Sequence, residues 1–386
     1  MIFKINVLLL HKIRDTYYNP NAMSLEQKKP RLEWLDALRG FTMILVVANH
    51  VAGMAFVQTR LQSSSLPFLL LFRMPLFFFI SGFLAYKSGL LWSGSQLWQL
   101  TSKKLRVQII PTVVFFLLAM VVLKPNFLTG LQEALASPMK GGYWFTLCLL
   151  YMFLVYYACC YLGQRLLRRF SWLRSWHLLA LAFIVSLAVY ETCYLPRHFV
   201  WGFGRRNGGS PFLDATTLIQ LMRYMPFFLF GNIVRRYWEQ AQRLFDSRWF
   251  YPLLITVVIF AAFDCLKWHT LRMEWANLPH TLARFGLPLI CFLYFRHYQQ
   301  YFTKLSVIGV SLQYIGRRTL DIYLLHFLFL PNLPEVGSFF DQHRHNFVID
   351  TTASVLIALV VIAFCIITSN ILRVSPLLKK WLFGRG

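Results

Sequence analysis

The sequence predicts an all-α, polytopic membrane bundle of about ten transmembrane helices, with both termini on the cytoplasmic side. Three observations carry this expectation. First, 57% of the residues are hydrophobic and only 14% are charged, against about 25% charged in an average soluble domain. Second, the apolar residues are gathered into stretches of roughly 20, the length of helix that crosses a bilayer core of about 30 Å. Third, the basic residues sit between those stretches in an uneven pattern.

Ten stretches are legible, at 35–57, 67–86, 107–123, 143–162, 177–194, 218–234, 250–266, 278–295, 312–330 and 347–372. Placing the N-terminus inside puts 27 of the 39 lysines and arginines in inner segments and 10 in outer ones, with Arg223 and Arg284 inside helices. Inner loops carry the excess of Lys and Arg in membrane proteins, so the bias favours an even number of spans. The organisation expected is an N-terminal extension at 1–30, a membrane domain at 31–375 and a cytoplasmic tail at 376–386. Residues 1–10 are too short an apolar run to span, and no small-residue cleavage site follows them. Met23 opens a segment suited to be a start, so residues 1–22 are expected to be dispensable.

The formal net charge is +24. In a nucleic-acid-binding protein such a charge lies on a soluble face. Here it flanks apolar segments, which points to the anionic leaflet of a bilayer and away from nucleic acid. The seven cysteines (Cys148, Cys159, Cys160, Cys193, Cys265, Cys291 and Cys365) make no C-x-x-C pair, so small apolar packing residues are expected, with neither a disulfide framework nor a metal site.

Polar residues inside apolar stretches are the functional leads, because a charge in hydrocarbon costs several kcal/mol unless it faces a cavity or a partner. In the first stretch Asp36 and Arg39 are three apart and share a helical face. His50 lies eleven residues past Arg39, about 16 Å deeper and close to three full turns on, so both point the same way. A lone helical histidine is as often a packing residue as a functional one, and the shared face with Arg39 favours function. In the second stretch Pro75 frees the carbonyl near Leu71, so a break or kink is expected, and Arg73 lies roughly 9 Å from the outer boundary. Ser81-Gly82 reads as a small-residue packing notch rather than a catalytic serine. In the ninth, His326 is nine residues past Arg317, about 14 Å in. His50, Arg73 and His326 thus reach similar depths from three helices, which suggests a polar cavity. Lys103, Lys104 and Arg106 precede the third stretch at its cytoplasmic mouth. Trp144 opens the fourth. Asp264, Asp350 and Glu191 fall near helix ends, where solvation makes a charge cheap.

Leu35-Asp36-x-x-Arg39-Gly40 followed by His50, then Phe72-Arg73-Met74-Pro75-Leu76-Phe77-Phe78-Phe79-Ile80-Ser81-Gly82-Phe83, resembles the acyltransferase 3 family of membrane acyltransferases. Trp144-Phe145 and Ile322-Tyr323-Leu324-x-His326 match that family in kind and order. The resemblance covers residues 31–372. It implies transfer of an acyl group, often acetyl and sometimes succinyl, from cytosolic acyl-CoA to a sugar hydroxyl of an envelope or exported glycan, in a bacterial inner membrane. It further implies a catalytic set of His50, Arg73 and His326, and a binding set of Asp36, Arg39, Ser81, Lys103, Arg106, Trp144 and Tyr323. No permanent cofactor or metal is implied; acyl-CoA is a co-substrate, and the bilayer and a glycan acceptor are the partners. His50 serves either as general base or as the acceptor of the acyl group itself, Arg73 balances the developing oxyanion, and Arg39, Lys103 and Arg106 meet the CoA phosphates. Members of the family commonly carry arginine where Lys103 stands, and lysine binds phosphate as a point charge rather than a fork.

The competing reading from the residues alone is a transporter or flippase for a glycan or lipid-linked sugar, whose path would be lined by the same Arg and His and whose helices are often interrupted by Pro. No internal repeat supports it. A bare scaffold, in which these residues only bond between helices, is the third.

Overall fold

The computed structural model describes residues 32–59, 62–63, 65–87, 90, 92–194, 210–263, 278–342 and 346–383. The expected extension at 1–30 and Asp264 therefore lie outside the described residues. The architecture is all-helical, with no strand among the described residues.

The first helix, α1 (Glu33–His50), passes into a π-helical turn, Val51–Ala55. α2 is Ser65–Ala85. α3 (Gly94–Lys104) and α4 (Ile110–Leu123) are joined by a second π-helical turn, Leu105–Ile109. α5 (Phe127–Ala136) leads to the long α6 (Trp144–Arg169) and α7 (Ser175–Val189). Then follow α8 (Pro211–Ala215), α9 (Leu218–Arg236), α10 (Trp238–Phe245), α11 (Phe250–Phe263) and α12 (Leu278–His297). The C-terminal part holds α13 (Val307–Arg317), α14 (Thr319–Phe329), α15 (Pro334–Gln342), α16 (Phe347–Leu372) and α17 (Pro376–Phe383).

Among the described residues, seven helices are long and apolar enough to cross a membrane, and the bent pair formed by α10 and α11 would make an eighth. Seven or eight of the ten expected spans thus qualify by length and composition. The stretch at 218–234 is helical as α9 but is weighted by Arg223, Arg235 and Arg236. The stretch at 312–330 does not form one helix. It breaks at Arg318, whose φ of −105° and ψ of 12° are not helical, leaving α14 only 11 residues long.

Two further expectations change. Of the break or kink expected at Pro75, a break is absent: α2 runs without interruption from Ser65 to Ala85 around a buried proline. Close packing on both sides carries a helix past the lost hydrogen bond. The third span starts earlier than 107, because the Ser93 side chain accepts from the Gln96 N–H and caps α3, so Lys103 and Lys104 lie within helix.

Two glycine crossings organise the centre. A Cβ on Gly40 would overlap the Leu312 carbonyl, and one on Gly316 the Asp36 carbonyl, so α1 and α13 meet backbone to backbone. Gly82 meets the Phe228 carbonyl and Gly231 the Phe79 carbonyl in the same way, joining α2 to α9. Lipid tails offer no hydrophobic drive for helices to associate, so small residues that admit close approach replace it. The Ser81-Gly82 notch expected from sequence is therefore present, with Gly82 as its working half. Large apolar residues such as Val121, Ile184, Phe260 and Ile367 face outward, as a lipid-facing surface requires. The segment expected as a tail carries α17, whose Phe383 is buried and packs on Phe115 of α4.

Among the described cysteines, Cys148 and Cys365 are buried, Cys160 and Cys291 half-buried and Cys159 exposed, all as free thiols. Asp350 is not solvated as its place near a helix end suggested. It is 1% exposed in the first turn of α16, where the positive end of the helix dipole favours a carboxylate. Glu191 is half-buried and accepts a hydrogen bond from Thr281.

Candidate active site

One cavity of about 470 Å³ runs through the centre, lined by faces of α1, α2, the α3–α4 segment, α6 and α14. On α1 the lining residues are Arg39, Met43, Val46 and His50, a spacing of three and four that marks one helical face. On α2 they include Arg73, Phe77 and Ser81, again about one turn apart. The α3–α4 segment contributes Lys103, Lys104, Val107 and Gln108, and α6 contributes Trp144, Phe145 and Phe153.

The cavity has two chemically different ends. At one, Arg39, Lys87, Lys103 and Lys104 converge. Arg39 donates to Thr319 Oγ1 at 2.9 Å and faces Asp36 at 3.7 Å. Asp36 is buried and lies 3.5 Å from Arg317 as well, so it holds two arginines in place rather than lining the cavity. Lys104 Nζ sits 3.6 Å above the Phe153 ring, a cation–π contact that fixes a flexible side chain. Arg106 is exposed and points away from the cavity.

About three helical turns away, at the other end, stand His50 and Arg73. His50 closes α1 where the regular helix gives way to the π-turn. The second π-turn carries Gln108 into the same cavity. Such single widened turns recur at functional sites because they re-aim side chains without ending the helix. Gln108 is anchored by donating to the Thr146 carbonyl at 2.8 Å. Arg73 is buried.

His326 does not line the cavity. It lies behind His50, fully buried, with ring centroids 5.1 Å apart. Its Nδ1 is 2.8 Å from the Tyr323 carbonyl and 3.1 Å from that of Ile322. Tyr323 does line the cavity; its hydroxyl donates to the Gly142 carbonyl at 3.0 Å and accepts from the Phe145 N–H at 3.2 Å. Trp144 stacks on Tyr224 of α9 at 5.5 Å and 21°. Ser81 lines the cavity with its hydroxyl donating to the Phe77 carbonyl at 2.9 Å. Of the residues singled out in the sequence, Arg39, His50, Arg73, Ser81, Lys103, Trp144 and Tyr323 come together around this space; Asp36 and His326 support it from behind, and Arg106 stands apart.

Lys87, Gln108 and Thr319 are not among the residues the sequence singles out, and Lys104 is named there only as part of the basic mouth. Lys104 and Gln108 were within reach of sequence reasoning: residues 100, 103, 104, 107 and 108 form one helical face, and 106 falls off it. Among the described residues no three His, Cys, Asp or Glu are grouped to hold a metal ion.

A bundle of membrane-crossing helices enclosing a cavity with a cationic end and a histidine–arginine end defines a polytopic membrane protein with a polar internal site. The profile of the acyltransferase 3 family, described as an acyltransferase domain, matches residues 32–370. The chain belongs to that family and is a membrane acyltransferase. Neither the curated proteins nor the solved structures offer a match.

Proposed function

We propose that the protein moves an acyl group, acetyl in the first instance, from cytosolic acyl-CoA to a sugar hydroxyl of a cell-envelope or exported glycan. The observation that carries this reading is the single cavity that joins the Arg39–Lys87–Lys103–Lys104 end to His50 and Arg73. A CoA thioester is polyanionic at one end and reactive at the other, and the cavity has cations at one end and a base at the other. Phosphates bind through charge-assisted hydrogen bonds, with Arg39 as a fork and the lysines as point charges. Orientation with both termini in the cytoplasm of a bacterial inner membrane would open that end to the cytosolic donor, in keeping with the distribution of Lys and Arg.

In the reaction, His50 takes the proton of the attacking hydroxyl as its oxygen bonds to the thioester carbonyl carbon. Arg73 carries the charge that gathers on the carbonyl oxygen. The carbon–sulfur bond then breaks, and the thiolate recovers the proton from His50. The products are one ester and one free thiol. Tyr323 and Trp144 shape the wall on which the acceptor sits.

The test is transfer or hydrolysis of labelled acetyl-CoA by the purified protein in nanodiscs, with His50→Ala beside it. Transfer to envelope glycan by the wild type and not by the variant is expected. A wild type inert toward acetyl- and succinyl-CoA with glycan supplied would overturn the proposed donor and acceptor.

A further inference from the structure

We propose that His326 is a positioning residue for His50: its Nε2 accepts a hydrogen bond from one N–H of His50 and so decides which His50 nitrogen keeps its lone pair toward the cavity. This rests on the reading of His50 as the base.

Four observations lead to it. His326 Nδ1 lies between two main-chain carbonyls, at 2.8 and 3.1 Å. A carbonyl only accepts, so Nδ1 carries the hydrogen and the lone pair of the neutral ring is on Nε2. That Nε2 is buried and has no hydrogen-bond partner of its own. A buried acceptor without a donor is costly and rare in native structures, and the adjacent ring that can supply a donor is His50. The centroid separation is 5.1 Å, the span of two imidazoles joined edge to edge through an N–H···N bond of about 2.9 Å. The rings are inclined at 42°, and rotation of His50 about its outer side-chain torsion, which leaves the ring centre almost in place, brings a nitrogen onto the His326 lone pair. Finally, Phe327 packs on both rings, 5.0 Å from His50 and 3.9 Å from His326. Water is thereby kept from competing for the contact.

The function of such a bond is familiar from catalytic imidazoles in general. A base with two nitrogens works only when the correct one is unprotonated and aimed, and the partner on the other nitrogen settles this. As His50 gains the substrate proton it becomes a stronger donor, so the bond to Nε2 tightens when the proton moves and loosens when the thiolate recovers it. His326 gains and loses no proton itself. Its rigidity comes from the α14 carbonyls that hold Nδ1.

Two substitutions separate this role from packing. His326→Asn keeps a polar atom near the Nδ1 position, for the two carbonyls, and deletes Nε2. His326→Gln reaches the Nε2 position with an amide oxygen. With acetyl-CoA and envelope glycan in nanodiscs, the asparagine variant is expected to lose about 100-fold or more in kcat while the KM for acetyl-CoA moves less than about 3-fold. The glutamine variant is expected to recover at least about ten of that factor. Wild-type kcat in the asparagine variant, or glutamine no better than asparagine in protein of unchanged thermal stability, overturns the proposal. His50→Ala, measured alongside, distinguishes the two levels: an active His50→Ala removes the role of His50 as base, whereas an inactive His50→Ala beside a fully active His326→Asn removes the His326 role alone.

Discussion

Arg39 donates to Thr319 Oγ1 at 2.9 Å across α1 and α14, 280 residues apart in the chain. The bond spans the basic end of the cavity and leaves the guanidinium facing it, with Asp36 beside it at 3.7 Å. The same side chain thus belongs to the fold and to the cavity wall.

Replacement Arg39→Gln is expected to raise the KM for acyl-CoA about 10- to 100-fold, the equivalent of about 1.5–3 kcal/mol for a charge-assisted hydrogen bond. The effect should shrink as salt is added, because screening weakens charge recognition at the open end. A purely structural role would lower the melting temperature and leave KM unchanged, so steady-state kinetics and thermal shift on one preparation decide it.

Lys104 and Arg106 provide an internal comparison. Lys104 lines the cavity above Phe153, whereas Arg106 is exposed off it. Lys104→Ala is expected to raise the KM for acyl-CoA about 5- to 10-fold, about 1 kcal/mol. Arg106→Ala should stay within about 2-fold of the wild type. The reverse ranking would move the phosphate site out of the cavity.

Gly316→Val should prevent α1 and α13 from meeting, since a Cβ there overlaps the Asp36 carbonyl. Overpacking of this kind costs about 1–3 kcal/mol, and more where backbone must shift. Loss of monodisperse protein in size-exclusion chromatography is the expected outcome. Gly94→Ala is the control, because a Cβ added there would meet nothing within 4 Å; in the first turn of α3 it should be neutral or stabilising by about 0.5 kcal/mol.

Asp321 accepts from Arg373 at 2.7 and 2.8 Å, from Arg318 at 3.2 Å and from Ser369 at 2.8 Å, tying α14 to α16. Asp321→Ala removes the carboxylate that both arginines share. A loss of about 2–3 kcal/mol is expected, below the range for a fully buried pair because both arginines keep some exposure. Thermal unfolding in detergent measures it, and an unchanged midpoint would show that the cluster contributes nothing to the junction.

Much of the site was legible before any helix was placed against another. Arg39 and His50 share a face because eleven residues are close to three turns, and Arg73 had to find a cavity because a charge facing lipid is prohibitive. Both statements follow from local periodicity and from the solvent. The break at Arg318 does not follow from the apolar run alone: Gly316-Arg317-Arg318 interrupts the stretch from 312 to 330, but the turn is held by a local bond from Arg318 to Asp321 together with a tertiary one to Ser369. Asp350 looked solvated for a similar reason, because nearness to a helix end says nothing about what packs over it.

The sequence by itself determined the membrane class, the all-helical architecture and several of the polar residues that meet in the cavity, because apolar run length and helical repeat are properties of a single segment. Only the tertiary structure decided which face of the third helix turns to the cavity, that Asp36 serves two arginines from behind it, and that His326 stands against His50 instead of lining the cavity. Those outcomes depend on how helices are rotated and crossed. The close contacts at Gly40–Gly316 and Gly82–Gly231 set that geometry, and no repeat within one helix encodes which neighbour it will meet.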